Sequence, residues 1–155
     1  MCRNNLVRNG KSKQLEVFDA GKPGLGVRAK EEIEKGAFVV EYTGLCCIKD
    51  KDGNSEEGDD LSYTCRIDNC TVIDSKIYGN ISRFVNHSCK PNCSLLPWTV
   101  DGRKRAILVS NQRINLDEEI TQSILVILMV SLMTRKWELS GNTPPSLNIS
   151  VKQRR

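Results

Sequence analysis

Short runs of alternating apolar and polar residues, separated by turn-forming clusters, fill the chain up to about residue 120. Residues 14–18 (QLEVF) alternate as a half-buried strand does, and residues 27–29 resume extended character after the turn cluster 20–26 (AGKPGLG). A tight charged turn at 31–36 (EEIEKG) leads into 37–44 (AFVVEYTG), whose β-branched and aromatic content predicts one buried strand. Residues 62–67 and 71–73 predict two more strands, and 78–92 (YGNISRFVNHSCKPN) reads as irregular. Residues 94–100 and 105–109 flank Asp101-Gly102, a hairpin signal, and 112–119 end in an acidic turn before Ile120. No internal repeat is present. The pattern predicts a mainly β domain with few helices.

Bulk properties narrow the class. The 155 residues suffice for one domain with a sizeable core and leave little for a second. At 39% hydrophobic and 27% charged, the composition is that of a soluble globular chain. The net charge of +4 is unevenly spread. Residues 49–60 (KDKDGNSEEGDD) hold two basic against six acidic residues and predict a solvated loop, whereas 134–155 hold five basic against one acidic. A mildly basic body suits a chromatin partner and equally suits many others. The longest apolar run, 124–133 (ILVILMVSLM), falls short of the ~20 residues of a membrane-spanning helix, and the first residues lack a secretory pattern. The expectation is a soluble intracellular protein with no membrane partner. Seven cysteines, odd in number and irregular in spacing, argue for reduced thiols, some of them zinc ligands, over a disulfide framework.

Candidate chemistry concentrates in residues 83–92 (RFVNHSCKPN), which carry the single histidine of the chain beside an asparagine and two residues before a cysteine. Asn86 and His87 together offer donors and acceptors suited to a polar ligand, although a lone histidine taken by itself favours the reading of a satisfied core residue. Gly24-Leu25-Gly26 is by itself only a tight turn, because no helix follows to complete a phosphate loop.

Taken in order, Gly24-Leu25-Gly26-Val27-Arg28-Ala29, Ile33, Gly36, Glu41-Tyr42-Thr43-Gly44 and the run from Gly79 to Asn92 (GNISRFVNHSCKPN) resemble the SET-domain lysine methyltransferases. The resemblance runs from about Cys2 to Thr121. Asn92-Cys93 followed by Trp98-Thr99-Val100-Asp101-Gly102 is similar to the branch that methylates lysine thirty-six of histone H3. Residues 77–82 (IYGNIS) are also similar to the branch acting on lysine nine.

The resemblance implies residues 1–5 as the end of a preceding zinc-bearing segment, 6–121 as the SET domain and 122–155 as a divergent tail. It implies a mainly β fold of small sheets with a C-terminal pseudoknot, a threaded connection that strand patterning alone would not suggest. S-adenosyl-L-methionine is implied as cofactor, against Pro23, Gly24, Leu25 and Gly26 and the side chains of Asn86 and His87. Tyr63 is implied as a catalytic residue between cofactor and lysine channel; from the residues alone it is equally an ordinary half-buried strand tyrosine. Cys89 is implied as a ligand to structural zinc. The implied partner is the histone H3 tail or the nucleosome, in the nucleus on the chromosome, with direct nucleic-acid contact weak or indirect.

The C-terminal end departs from the family pattern. Asp117-Glu118-Glu119-Ile120-Thr121 matches the family turn, but Gln122-Ser123-Ile124 follows where a reaction-centre tyrosine is expected. No tyrosine occurs after Tyr78 and no cysteine after Cys93, so the zinc site expected to include Cys89 looks incomplete. A lysine methyltransferase is the reading adopted. The alternative is a catalytically inactive module that binds chromatin or cofactor without turnover. A zinc-dependent nucleic-acid module is disfavoured because no paired Cys-x-x-Cys set exists.

Overall fold

The computed structural model describes residues 4–22, 24–48, 63–68 and 71–123. The predicted alternation at the start of the chain becomes a hairpin of β1 (Leu15–Asp19) and β2 (Leu25–Ala29), paired antiparallel from Leu15 opposite Ala29 to Asp19 opposite Leu25. Its turn is tied by Asp19 Oδ1, which accepts from the Gly21 amide at 2.9 Å, and by the Gly24 amide donating to Gly21 O at 2.8 Å.

The single strand expected at 37–44 is two strands in two sheets, β3 (Phe38–Tyr42) and β4 (Gly44–Ile48). The break falls at Thr43, and at the next residue, Gly44, the chain runs so close to the neighbouring strand that a Cβ would lie 2.3 Å from Asp74 O. An apolar run carries no signal for such a crossing. β5 (Thr64–Arg66) and β6 (Thr71–Gly79) complete the small sheet, in the order β4-β6-β5. β6 is far longer than the predicted 71–73, because its second half, 76–79, is exposed and so shows no burial periodicity.

The stretch read as irregular is likewise more ordered. It holds the end of β6, a 3-10 helix over Ile81–Phe84 and the two-residue strand β7 (Asn86–His87). Asn80 caps the 3-10 helix, its side chain accepting from the Ser82 amide. The hairpin expected around Asp101-Gly102 is present as β8 (Cys93–Val100) and β9 (Arg103–Ser110), longer at both ends than the pattern suggested. Both turn residues adopt positive φ, 51° at Asp101 and 73° at Gly102, as a tight two-residue hairpin requires.

The last described strand, β10 (Glu119–Gln122), sits inside the main sheet, whose order is β1-β2-β10-β8-β9-β3, with β7 also pairing β10. It runs antiparallel to β2 and parallel to both β7 and β8. The acidic turn predicted before Ile120 is therefore the entry to a central strand. The tail from residue 124, with its apolar run, lies outside the described residues, as do residues 49–62. Among the described residues no helix is long and apolar enough to cross a membrane.

One core cluster gathers Val27, Ile33, Val40, Leu108, Ile114 and Ile120 between the sheets. A second joins Val7 of the short helix α1 (Asn4–Arg8) to Phe38, Val100, Ile107 and Val109. Five residues are too few for a visible helical period, and α1 is held by the burial of Val7 and an ion pair between Arg8 and Asp101. Leu108→Ala, at a fully buried site, is expected to lower unfolding free energy by ~2–5 kcal/mol in urea denaturation, and Leu116→Ala, at a residue 55% exposed, by less than about 0.5 kcal/mol.

Candidate functional site

Three of the sequence-selected residues meet at one patch where β2, β7 and β10 adjoin. Asn86 Nδ2 donates to Leu25 O at 3.2 Å and to Glu119 Oε1 at 2.9 Å. Gly26 lies directly beneath: a Cβ there would come within 2.9 Å of Glu119 Oε1, 2.9 Å of Phe18 and 3.1 Å of Asn86 Nδ2. His87 follows Asn86 on β7 and is exposed, with its Nε2 3.7 Å from the Cys89 thiol. Gly24 has φ +88° and nothing within 4 Å of a built Cβ, so its Cα face is uncovered, while its amide and carbonyl are engaged within the turn by Gly21 O and the Ala20 amide. Pro23 falls outside the described residues.

Asn92, a member of the motif run, fastens this patch from below. It is buried, and its side chain donates to Glu118 Oε1 at 3.2 Å and Glu119 O at 2.7 Å while accepting from the Thr121 amide at 2.9 Å. Both ends of its amide are thus used by β10 and the turn before it. Neither Asn92 nor Glu119 was singled out from the sequence. The only signal for them was their place in the motif run and in the acidic turn.

Tyr63 stands elsewhere, immediately before β5. Its ring faces the Arg83 guanidinium at 5.0 Å, and Arg83 in turn lies 5.2 Å from the Phe84 ring. Tyr42, buried in β3, donates its hydroxyl to Tyr63 O at 3.0 Å. Burial is the larger influence on Tyr42 and holds its hydroxyl pKa above the ordinary value, against a lowering hydrogen bond with Ser75. Tyr63 is therefore joined to the motif run through Arg83, while Leu25, Gly26 and Asn86 are joined to each other directly.

A cleft of about 540 Å³ opens between the small sheet and the β8–β9 hairpin, lined by Tyr42, Ile67, Ile73 and the cations Arg103, Lys104 and Arg105 among others. It shares no lining residue with the Asn86 patch.

The donor set distinguishes the two implied cofactors. The uncovered Cα face of Gly24, the half-exposed Leu25, the partly buried Asn86 and the exposed His87 make a surface that an elongated molecule with amine, hydroxyl and ring groups can lie along. These residues fit S-adenosylmethionine. Zinc fares differently: among the described residues no group of three or more His, Cys, Asp or Glu side chains could hold a metal. Among the described residues Cys89 has His87 beside it, and tetrahedral zinc takes four ligands.

The four free thiols with described side chains divide by environment. Cys65 and Cys93 are buried, and burial pushes each pKa from 9.0 up to about 12, aided at Cys93 by the Glu118 charge. Cys46 and Cys89 are exposed. Alkylation at pH 8 followed by peptide mass spectrometry is expected to modify Cys46 and Cys89 readily and Cys65 and Cys93 only after denaturation. The stability contributed by the two neutral thiols is complete below pH 9 and falls as pH rises towards about 12, because the unfolded chain ionises first.

Comparison with known proteins adds an independent finding. A family model for the SET domain matches residues 24–124. Histone-lysine N-methyltransferase ash1 of Drosophila melanogaster is 35% identical over 125 residues, covering 77% of this chain and 6% of the relative. Histone-lysine N-methyltransferase ASHH3 of Arabidopsis thaliana is 34% identical over 126 residues, 77% of this chain and 34% of the relative. Histone-lysine N-methyltransferase SETD1B of Homo sapiens is 39% identical over 130 residues, 77% of this chain and 7% of the relative. The chain thus spans about a third or less of the length of these relatives.

Proposed function

The chain belongs to the SET-domain family, and on that premise we propose that it is a protein-lysine methyltransferase acting on histone H3, with S-adenosylmethionine as methyl donor and the nucleosome as substrate. The observation that carries this reading is the convergence of Leu25, Gly26 and Asn86, hydrogen-bonded across two strands beside His87. Resemblance along 92–102 favours lysine thirty-six of the histone, and a histone substrate implies a nuclear, chromosomal location. Direct nucleic-acid contact is a minor part of this reading.

S-adenosylmethionine, when bound, supplies an electrophilic methyl group on a sulfonium. The task of the chain is to hold that ligand and to bring up a neutral amine. Asn86 offers its amide oxygen and His87 its ring nitrogens beside the uncovered turn at Gly24, so orientation is supplied by polar side chains. Pro23 is assigned to the same surface by resemblance. A lysine side chain has an ordinary pKa of ~10.4, so the channel must favour its neutral form by excluding water. Tyr63 is the channel residue in this proposal. One face of its ring is taken by the Arg83 guanidinium, so in this proposal the methylated ammonium uses the ring's other face or edge.

Asn86→Ala and His87→Ala are each expected to lose ~1–3 kcal/mol of S-adenosylmethionine binding, read by titration calorimetry with melting temperature as the check on folding. Unchanged affinity in both folded variants would remove the cofactor assignment.

Rate is the second measurable consequence. Gln122-Ser123-Ile124 replaces the segment where the family tyrosine is expected, and the Gln122 Oε1 atom is buried with no hydrogen-bond partner among the described residues. Loose placement of the amine by about an ångström can cost ~100-fold. In a nucleosome assay with labelled cofactor, a chimera carrying a family C-terminal segment after Thr121 is expected to outpace the natural chain by roughly that factor. Equal rates would mean that the natural tail supplies its own catalytic groups, and labelling by neither would support a binding module without turnover.

A further inference from the structure

We propose that Glu119 is the positioning residue of the cofactor patch: its carboxylate fixes the Asn86 amide so that the amide oxygen is presented to a donor group of the ligand. This inference rests on the reading of the patch as an S-adenosylmethionine site.

Asn86 Nδ2 has two hydrogens and two neighbours, Glu119 Oε1 at 2.9 Å and Leu25 O at 3.2 Å. Both neighbours only accept, so the amide nitrogen must face them and both hydrogens are used. Turned over, the amide would set its oxygen against a carboxylate and a carbonyl, with repulsion at both. The orientation of Asn86 is therefore single, and its Oδ1 is left to accept from a ligand amine or hydroxyl. The carbonyl of Leu25 contributes an ordinary neutral hydrogen bond. The Glu119 oxygen, at 2.9 Å, is the nearer of the two acceptors, and the reach of its side chain puts it there.

Two further observations place Glu119 in this role. Gly26 lies in extended β2 and is absent from the positive-φ residues, so turn geometry does not account for its lack of a side chain. The space does: a Cβ at Gly26 would stand 2.9 Å from Glu119 Oε1 and 3.1 Å from Asn86 Nδ2, in the gap their hydrogen bond crosses. The backbone on either side of Ile120 is held by Asn92, which donates to Glu119 O at 2.7 Å and accepts from the Thr121 amide at 2.9 Å. With Glu119 opposite Arg28 of β2 and Thr121 opposite Asn86 of β7, the strand delivers the carboxylate between the two elements of the patch. Glu119 acts through Asn86 and makes or breaks no bond itself.

The test separates reach from charge. Glu119→Asp keeps the charge on a side chain one methylene shorter, and Glu119→Gln keeps the reach and an accepting Oε1 without the charge. S-adenosylhomocysteine is titrated calorimetrically into the parent and both variants, and the Asn86 side-chain amide is followed by ¹⁵N NMR without ligand, its signal assigned by its loss in Asn86→Ala. Glu119→Asp is expected to bind about tenfold more weakly, with faster solvent exchange of the Asn86 amide, and Glu119→Gln to stay within about threefold of the parent. An Asn86 amide unchanged in Glu119→Asp overturns the proposal, as does a Glu119→Gln variant weaker than Glu119→Asp, which would assign the effect to charge. Unchanged affinity despite a loosened amide overturns it too. A parent that binds no S-adenosylhomocysteine overturns the cofactor reading and this inference with it, and the ligand-free amide spectrum tells that outcome apart from a failure of the Glu119–Asn86 contact.

Discussion

The four-residue strand β10 is the constraint on which the rest of the patch depends, because it is the element that β2, β7 and β8 all pair with. A strand so short cannot hold itself in a sheet by ladder hydrogen bonds alone. Asn92 fastens it with contacts to Glu118, Glu119 and Thr121, and Ile120 anchors it as a fully buried side chain. Each such hydrogen bond contributes about 1 kcal/mol net, yet stranding a buried amide costs more than the bond supplies. Any rearrangement that keeps Asn92 buried must therefore replace these partners.

A second set of contacts ties the small sheet to the motif run. Thr43, between β3 and β4, accepts from Ser75 Oγ at 2.6 Å through its carbonyl and from the Asn80 amide at 3.1 Å through its hydroxyl. The Asn80 side chain donates to Glu41 O at 2.7 Å while capping the 3-10 helix that leads to Asn86. Gly44 and Gly79 pair at this crossing, and a Cβ on either would collide with backbone atoms of the opposing segment. Thr43 and Asn80 thus set the relation between Tyr63, on the small sheet, and Asn86, on the main one. In the proposed reading, that relation decides whether a lysine entering beside Tyr63 can meet a ligand held at Asn86.

Much of this was legible in the residues. Turn chemistry named the Asp101-Gly102 hairpin, alternation named β1, and the run at 79–92 pointed to the family that the SET-domain match over 24–124 then supplied independently. The division of 37–44 into two strands was not legible, because an apolar run says a segment is buried without saying against what. Nor was the length of β6, since its exposed half has no buried face to create a period. Cys89, a zinc ligand only by resemblance and at a site the sequence already left incomplete, lies 3.7 Å from the His87 imidazole, while Cys2, Cys47 and Cys70 fall outside the described side chains.

By itself, then, the sequence determined the composition of the patch: which glycines leave room, which amides can donate and accept, and which family uses that order of residues. Only the tertiary structure decided the orientation of those groups. Leu25 and Asn86 are 61 positions apart and Asn86 and Glu119 are 33 apart. Their juxtaposition comes from β10 entering the sheet between β2 and β7. The physical reason is that side-chain chemistry is local to a residue, whereas the direction in which an amide must point depends on acceptors that strand pairing alone brings beside it.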